Sequence, residues 1–337
     1  MRRNLSLLVI ICVLGLLTAC SKNEDPATLI TATAKSTLPE VTLTGEAKTT
    51  AEATEMVDVP AGNFIRGSND TDTEGLKEQY GFAAPIFLDE HPQQTLHLAA
   101  FRIDKYEVTN LQYKAFVYAT ERKLAYAWLH NGYGLQPDSL SKATLEQLRF
   151  LASEKLKLDI DATTMTKEAL IPPMRDKIHS MDNLPIAGIT WQDADDYCRW
   201  IGKRLPSEAE WEKAARGTQG QVFPWGNTWD STIANTGDDK EWEGGLAPVG
   251  AYPKNVSPYG AYDMAGNVWE WVNDWYAPYP NATYQSEAFG KKTKVIRGGS
   301  GGTGHYAISY FFRAATRQFA EPTLETEDVG FRCAKSL

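Results

Sequence analysis

The sequence predicts an α+β domain that is poor in regular secondary structure. Helix signals are few, and each begins with a residue that can cap the first turn. The apolar segments between them are short and are separated by clusters of Gly, Pro, Asn and Asp, which are typical of turns. The chain also contains 10 Trp, 15 Tyr and 12 Phe, so large aromatic side chains can hold irregular backbone together.

Three helices are predicted from residues that can cap their first turns. They begin after Thr109, Thr190 and Ser207, whose hydroxyls can accept a hydrogen bond from a backbone N–H. The second and third helices are expected to end at Gly202 and Gly217, because glycine readily adopts the left-handed conformation that closes a helix. The remaining apolar segments are residues 56–59, 96–103, 248–252, 295–296 and 329–334.

A polar region at residues 124–182 has the character of an insertion. It separates two of the predicted helices and contains its own amphipathic stretch at residues 145–158. A segment of this kind can supply a surface that is specific to one protein.

The N-terminus has the features of an export signal. Arg2 and Arg3 precede an apolar run at residues 5–17, which is too short to span a bilayer but suits the core of a signal peptide. The run ends in LTAC at residues 17–20, which resembles the lipobox of bacterial lipoproteins. We therefore expect residues 1–19 to be removed and the thiol of Cys20 to receive lipid. The alternatives are an ordinary secretory signal cut near Ala19 and, less favoured, a buried core helix.

The segment after Cys20 has the composition of a tether. Residues 21–55 contain nine Thr and no aromatic residue, so they cannot bury enough apolar surface to fold. We predict a tether at residues 20–55 and one folded domain at residues 56–337. Ser21 favours the outer membrane, because an Asp at this position would favour retention at the inner membrane.

The charge balance disfavours nucleic acid as a partner. The chain carries 34 Lys+Arg and 43 Asp+Glu, and loss of Arg2 and Arg3 with the leader leaves a net charge of −11. The acidic balance also disfavours adhesion to anionic lipid through a basic patch. The lipid on Cys20 would therefore provide the membrane attachment.

Two cysteines remain once Cys12 has left with the leader and Cys20 has been lipidated. In an oxidising compartment, Cys198 and Cys333 are expected to form a disulfide. The five His residues show no ligand spacing near either cysteine, so a zinc site is disfavoured.

Several segments are too specific to follow from composition. They are MVDVPAGNF at residues 56–64, YEVTN at 106–110, GKRLPSEAEWE at 202–212, YDMAGNVWEW at 262–271, and RGGS at 297–300 with GFRC at 330–333. In this order they resemble the formylglycine-generating enzyme (sulfatase-modifying factor) domain family. The resemblance covers residues 56–337 apart from the insertion, and it implies a compact, irregular α+β fold of the C-type-lectin-like kind.

The resemblance implies a disulfide and structural calcium. The family pairs the cysteines that match Cys198 and Cys333. It also binds calcium through a segment like the one here, which implies ligands from the side chains of Asp263 and Glu270 and the carbonyls of Gly266 and Val268. A second site is implied at Asn235 and the carbonyl of Thr236, with acids from residues 237–243. The alternative for the first site is that its carboxylates only cap turns.

The active enzymes of the family carry two cysteines shortly after the RGGS segment. As a pair they hold copper(I), for which thiolates are natural ligands, and they oxidise a substrate cysteine to formylglycine with O₂. Residues 301–312 of this chain contain no cysteine. We therefore expect no copper and no formylglycine-generating activity.

Other polar residues lie in the same part of the chain. Ser300, His305, Tyr306, Arg313 and Arg317 could line a cleft that binds peptide or carboxylate groups. The alternative for the two arginines is that they are buried ion-pair partners of the scaffold.

Three functions compete. The first is a non-catalytic binding or assembly module of the cell envelope with a protein partner, because the arrangement resembles that of gliding-motility and secretion-associated lipoproteins. The second is an enzyme with altered chemistry, for which His305, Tyr306 and Arg313 are the candidate groups. The third is a variable lectin-like display protein, which the composition of residues 317–328 does not support.

Overall fold

The computed structural model describes residue 51 and residues 54–135, 137–237, 245–301 and 308–337. The predicted leader, Cys20, nearly all of the predicted tether, His305 and Tyr306 lie outside these residues. Within the part of the chain that is described, no helix is long and apolar enough to cross a bilayer.

The described residues form short strands and helices, which confirms the predicted α+β class. The strands are β1 (Met56–Val59), β2 (Gly62–Arg66), β3 (Gln94–Leu98), β4 (Phe101–Asp104), β5 (Trp269–Trp275), β6 (Lys294–Arg297), β7 (Gln318–Ala320), β8 (Val329–Gly330) and β9 (Ala334–Ser336). The helices are α1 (Leu76–Tyr80), α2 (Asn110–Thr120), α3 (Tyr126–Asn131), α4 (Pro137–Lys142), α5 (Leu145–Phe150), α6 (Lys167–Ser180), α7 (Trp191–Trp200) and α8 (Glu208–Arg216).

The strands form three small sheets, with the orders β1-β4-β9, β2-β3 and β7-β6-β5-β8. All strand pairs are antiparallel except β5 with β8. Two of the sheets are built from consecutive strands, whereas the first joins β1 and β4 to the C-terminal β9 and so brings the two ends of the domain together.

The three predicted helix starts are confirmed. Thr109, Thr190 and Ser207 each accept a hydrogen bond from the backbone N–H three residues later, and the residue there bonds back to the backbone of the cap. Gly202 and Gly217 follow the ends of α7 and α8 with φ angles of 71° and 67°. These local signals specify helix ends because they satisfy backbone groups that the helix itself leaves unpaired.

The apolar segments correspond less simply to strands. Residues 96–103 contribute to both β3 and β4, and residues 329–334 to both β8 and β9, in each case with the two strands in different sheets. Residues 248–252 form no strand: Ala251 N–H donates to the Pro248 carbonyl in a turn, and Gly250 has a φ angle of 76°. The backbone turns here because a glycine supplies the positive φ.

The insertion folds into α3, α4, α5 and α6 and packs against the body of the domain. Its Trp128, Leu148 and Leu170 are buried in the same apolar core as Tyr113 and Tyr197. The amphipathic stretch at 145–158 divides into α5 and a π-helical turn at Leu151–Lys155. The insertion is therefore attached through buried side chains rather than hanging free.

A disulfide joins Cys198 of α7 to Cys333, the residue before β9, with the two Cα atoms 5.7 Å apart. This confirms the pairing that the resemblance implied. The bond closes a loop across 135 residues of sequence, and a loop of this length stabilises the folded state by about 5 kcal/mol through lost freedom of the unfolded chain.

Candidate functional site

Both arginines of the predicted cleft are buried in ion pairs. Arg313 Nη1 donates to Glu90 Oε1 over 2.8 Å, and its Nη2 donates to Asp70 Oδ2 over 2.6 Å. Arg317 donates from Nε and Nη2 to the two oxygens of Glu208, over 2.7 and 3.0 Å. Arg313 and Arg317 are therefore buried ion-pair partners of the scaffold, as the alternative prediction had it, and their guanidinium groups do not line an open cleft.

The Arg317–Glu208 pair belongs to a larger buried charge network, which we define as Glu208, Glu212, Arg216, Arg297 and Arg317. The Arg313–Glu90 pair is separate from it. Helix α8 supplies three members, because residues spaced by four lie on one face of a helix. Arg297 of β6 donates to Glu208 over 3.2 Å and to Glu212 over 2.9 Å. Each glutamate in the network has at least one arginine partner, so the charges compensate one another.

Asp89 lies beside this network without an arginine on its carboxylate in the described part of the chain. Its Oδ2 accepts a hydrogen bond from the Tyr276 hydroxyl over 2.7 Å. Burial raises the pKa of Asp89 to about 6, against the opposing effect of the Arg317 charge. Asp89 is therefore an acid that changes its charge near neutral pH inside the core.

The segment that follows RGGS is packed with aromatic rings where it is described. Ser300 is buried and its hydroxyl donates to Asp328 Oδ2 over 3.3 Å. Further on, a 3-10 turn at Ser309–Phe312 buries three consecutive rings. Of these, Phe312 stacks on Trp229 with ring centres 5.3 Å apart. His305 and Tyr306 stay predictions, because they lie outside the described residues.

Of the two side chains predicted to bind the first calcium ion, Asp263 lies on the turn that leads into β5 and Glu270 is the second residue of β5. Asp263 accepts a hydrogen bond from Gly250 N–H over 2.6 Å. Both oxygens of Glu270 accept from Arg332, each over 2.7 Å, and Oε2 also accepts from Trp211 Nε1 over 2.8 Å. Both carboxylates are buried.

A third carboxylate, Glu107, lies against the same turn and was not among the predicted ligands. It accepts hydrogen bonds from Val268 N–H and from Asn267 Nδ2. Burial raises the pKa of Glu107 well above its usual value, and the charges of Asp263 and Glu270 raise it further. Burial likewise raises the pKa of Asp263 to about 6. The sequence signal for Glu107 was its place in the YEVTN segment.

The second predicted calcium site adjoins the first. The Asn235 amide donates to the Gly245 carbonyl over 3.0 Å and to Asn267 Oδ1 over 3.1 Å. Asn235 and Thr236 are both buried. The acids expected from residues 238–243 lie outside the described residues, so only part of this site can be placed.

The donors of the first site fit a hard cation. Three buried carboxylates face one guanidinium, and the turn adds backbone carbonyls, which are the oxygen ligands that Ca²⁺ accepts. Among the described residues, no group of three or more His, Cys, Asp or Glu side chains has the arrangement of a metal site by itself. Calcium at this turn therefore depends on the carbonyls of Gly266 and Val268 as well, and it stays a prediction.

Comparison with known proteins identifies the family. A model of the sulfatase-modifying factor enzyme 1-like domain matches residues 41–337. The formylglycine-generating enzyme of Bos taurus is 32% identical over 309 residues, which cover 83% of this chain and 74% of that protein. The inactive C-alpha-formylglycine-generating enzyme 2 of Mus musculus is 32% identical over 302 residues, covering 85% of this chain and 87% of that one.

Solved structures agree on the fold. PvdO from Pseudomonas aeruginosa superposes with a TM-score of 0.54 at 24% identity, covering 85% of this chain and 95% of that one. Treponema denticola variable protein 1 gives a TM-score of 0.53 at 19% identity, covering 84% and 95%. At these identities the likeness concerns the fold alone. The sequence matches carry the assignment further: this chain belongs to the sulfatase-modifying factor enzyme 1-like domain family.

Proposed function

We propose that this chain is a non-catalytic binding or assembly module of the cell envelope, attached to a membrane by lipid on Cys20. The main observation in support is that the mature chain lacks a pair of free cysteine thiols. Residues 301–312 contain no cysteine, and Cys198 and Cys333 are joined in a disulfide. The mature chain therefore offers no pair of free thiolates for copper(I), and formylglycine generation has no metal site to depend on.

Two further observations support a scaffold role. Arg313 and Arg317, which a substrate carboxylate would need, are already bound to Glu90 and Glu208. The family also includes a mouse relative that is named as inactive, at the same identity as the bovine enzyme. In this proposal calcium is a structural ion, and nucleic acid is not a partner.

The insertion is the surface that we assign to the protein partner. Tyr126, Phe150 and Ile160 are 41%, 40% and 37% exposed there, while its inner residues are anchored in the core. Apolar side chains held at the surface by a packed base are the kind of group that a protein interface buries. Export and outer-membrane attachment complete the proposal, on the strength of the LTAC segment and Ser21.

The absence of oxidase chemistry can be tested directly. Purified protein is incubated with copper(I), O₂ and a cysteine peptide from a sulfatase, and the peptide mass is measured. The formylglycine-generating enzyme of Thermomonospora curvata, 31% identical to this chain, serves as positive control. We expect no conversion by this protein under conditions in which the control converts the peptide. Conversion at any rate above the protein-free reaction would refute the proposal.

The partner surface is tested by crosslinking in intact cell envelopes. Tyr126→Ser, Phe150→Ser and Ile160→Ser are compared with Phe319→Ser, because Phe319 is equally exposed at 40% but belongs to β7 and not to the insertion. We expect a reproducible crosslinked protein that is lost from at least one insertion variant and retained by the β7 variant. Equal capture by all four variants would exclude the insertion as the binding surface.

The second candidate function, an enzyme with altered chemistry, can be distinguished from the scaffold by measuring which metals the purified protein contains. Of its candidate groups, Arg313 is committed to Glu90 and Asp70. Copper or iron that stays with the purified protein and is lost on His305→Ala would favour the enzyme, whereas calcium without copper favours the scaffold.

A further inference from the structure

Residues 71–88, which we call the strap, form a surface loop whose two ends are held together. Ser68 N–H donates to the Glu90 carbonyl over 3.2 Å, and the Ser68 hydroxyl donates to Glu90 Oε2 over 2.7 Å. Beside this pair, Gln93 N–H donates to Asn69 Oδ1 over 2.9 Å. These bonds lie outside the strap, so its base can stay closed while the strap itself moves. Surface loops with closed ends often have a function.

Local hydrogen bonds give the strap its own structure. At the start of α1, Asp72 accepts hydrogen bonds from Leu76 N–H and Lys77 N–H, over 2.7 and 2.9 Å. After α1, Phe82 N–H donates to the Lys77 carbonyl over 3.0 Å. Residues 83–85, at the tip, are exposed. Because the partners of these bonds belong to the strap, it can move as one unit without breaking them.

Aromatic rings hold the strap against the turn that follows RGGS. Phe82 meets Phe311 edge to face, with ring centres 5.5 Å apart, and Phe87 meets Tyr310 in the same way at 4.9 Å. Phe87, Tyr310 and Phe311 are all buried in this arrangement. The strap therefore covers part of residues 301–312, the stretch in which the active enzymes of the family carry their two cysteines.

The backbone at Phe87 is strained in this closed position. Its φ angle is 70° and its ψ angle is −30°, a conformation in which the Cβ atom of a bulky residue crowds the backbone. Such a residue persists only where its surroundings hold it. Here the Arg313 guanidinium lies over the Phe87 ring at 4.7 Å, and Phe87 N–H donates to the Tyr310 hydroxyl over 3.5 Å. The strain disfavours the closed strap about tenfold relative to a relaxed backbone.

We propose that the strap opens and closes over the aromatic turn at Ser309–Phe312, and that the strain at Phe87 favours opening. In the closed state, which this structure shows, the strap keeps ligands and partners away from the turn. In the open state the rings of Tyr310 and Phe311 become exposed, and such an apolar surface is the kind that other molecules bind. The strap is separate from the insertion, so this inference depends neither on the partner proposed for the insertion nor on calcium.

The test is hydrogen–deuterium exchange, followed by mass spectrometry, on the full-length protein purified in detergent. Phe82→Ala removes the ring contact with Phe311, and we expect it to speed amide exchange about tenfold in the strap and in the turn at Ser309–Phe312. Both segments should respond, because both exchange when the strap opens. The matched control is Tyr284→Ala, which removes another partly exposed ring, in edge contact with Phe289 at 5.9 Å. We expect the control to change both rates less than about twofold.

The strain is tested by comparing Phe87→Ala with Phe87→Gly. Both remove the ring, but glycine adopts the positive φ angle without the crowding of a Cβ atom. We therefore expect strap exchange about threefold slower in the glycine variant than in the alanine variant. In an unstrained loop glycine would have the opposite effect, because the added freedom of the chain favours the open state. Equal rates, or faster exchange with glycine, would overturn the proposed role of Phe87 in opening.

Exchange in α8, at Glu208–Arg216, serves as the internal reference for unfolding of the whole domain. Should Phe82→Ala speed exchange there as well, Phe82→Leu keeps an apolar side chain in the contact, and we expect it to speed exchange in the strap and the turn about threefold. A variant that leaves α8 unchanged and shows natural rates in both segments overturns the proposal. Faster exchange in the strap alone also overturns it, because the strap would then move without uncovering the turn.

Discussion

Replacing Arg317 by methionine would remove a guanidinium that is 2% exposed and donates four hydrogen bonds. Two go to Glu208, over 2.7 and 3.0 Å, and two go to the backbone carbonyls of Asp89 and Ala277, over 2.8 and 3.0 Å. Methionine fills much of the volume but satisfies none of these acceptors. The variant Arg317→Met therefore removes one of the two arginine partners of Glu208 and the donor of two backbone carbonyls.

The expected loss in the free energy of unfolding depends on the hydrogen bond that Glu208 retains with Arg297. Removing one partner of a buried ion pair costs about 3–5 kcal/mol, because the other charge stays buried without compensation. Glu208 retains a hydrogen bond from Arg297 over 3.2 Å, which places the expected loss near the lower end, at about 3 kcal/mol. Burial alone would raise the pKa of Glu208, but Arg317 and Arg297 hold it below its usual value. The variant should shift this pKa upward.

The assay is urea unfolding at pH 7, with Arg102→Met as the matched control. Arg102 pairs with Asp58 over 2.6 Å, but the two side chains are 50% and 68% exposed. Solvent screens such a pair, so its loss should lower the free energy of unfolding by less than about 1 kcal/mol. If the two variants lose the same amount, burial is not what gives the Arg317 pair its importance, and the reasoning fails.

Three further outcomes are expected. Replacing Cys198 and Cys333 together by alanine should lower the free energy of unfolding by about 5 kcal/mol in urea; a loss under about 1 kcal/mol would show that the cross-link adds little. Asp89→Asn should remove a decline in stability as the pH rises from 4 to 6, because the folded pKa of about 6 lies above the ordinary value of 3.8, so the unfolded state releases its proton first. Urea unfolding at both pH values should show the natural protein losing about 2 kcal/mol more than the variant, and equal losses would contradict this. Cys20→Ser should abolish labelling by a palmitate analogue and release the protein from membrane fractions, whereas retention of both would exclude lipid on Cys20.

The features that depend on nearby residues could be predicted from the sequence. The capping boxes at Thr109, Thr190 and Ser207 involve residues three apart, and each forms as expected. The disulfide between Cys198 and Cys333 was predicted from the two cysteines that remain in the mature chain, and the family resemblance implied the same pairing. Fold class and family were therefore accessible without coordinates.

The features that depend on distant partners were not accessible in the same way. Arg313 and Arg317 were ambiguous, because their partners Glu90 and Glu208 lie 223 and 109 residues away along the chain. Glu107 was missed as a neighbour of the β5 turn for the same reason, since it contacts Val268 across 161 residues. An apolar segment such as residues 96–103 also does not show that it contains parts of two strands, which belong to different sheets.

The start of the described chain has a mechanical consequence. Ala51 is buried in the core, Thr54 and Glu55 are bonded to Lys203 and Lys105, and β1 pairs along its length with β4. Strand β4 pairs in turn with β9, which directly follows the cysteine cross-linked to α7. A force that pulls on the N-terminal segment would act on the sheet β1-β4-β9, which the Cys198–Cys333 disulfide links covalently to α7. A force applied to the N-terminal segment should therefore be transmitted to the whole domain before the domain unfolds.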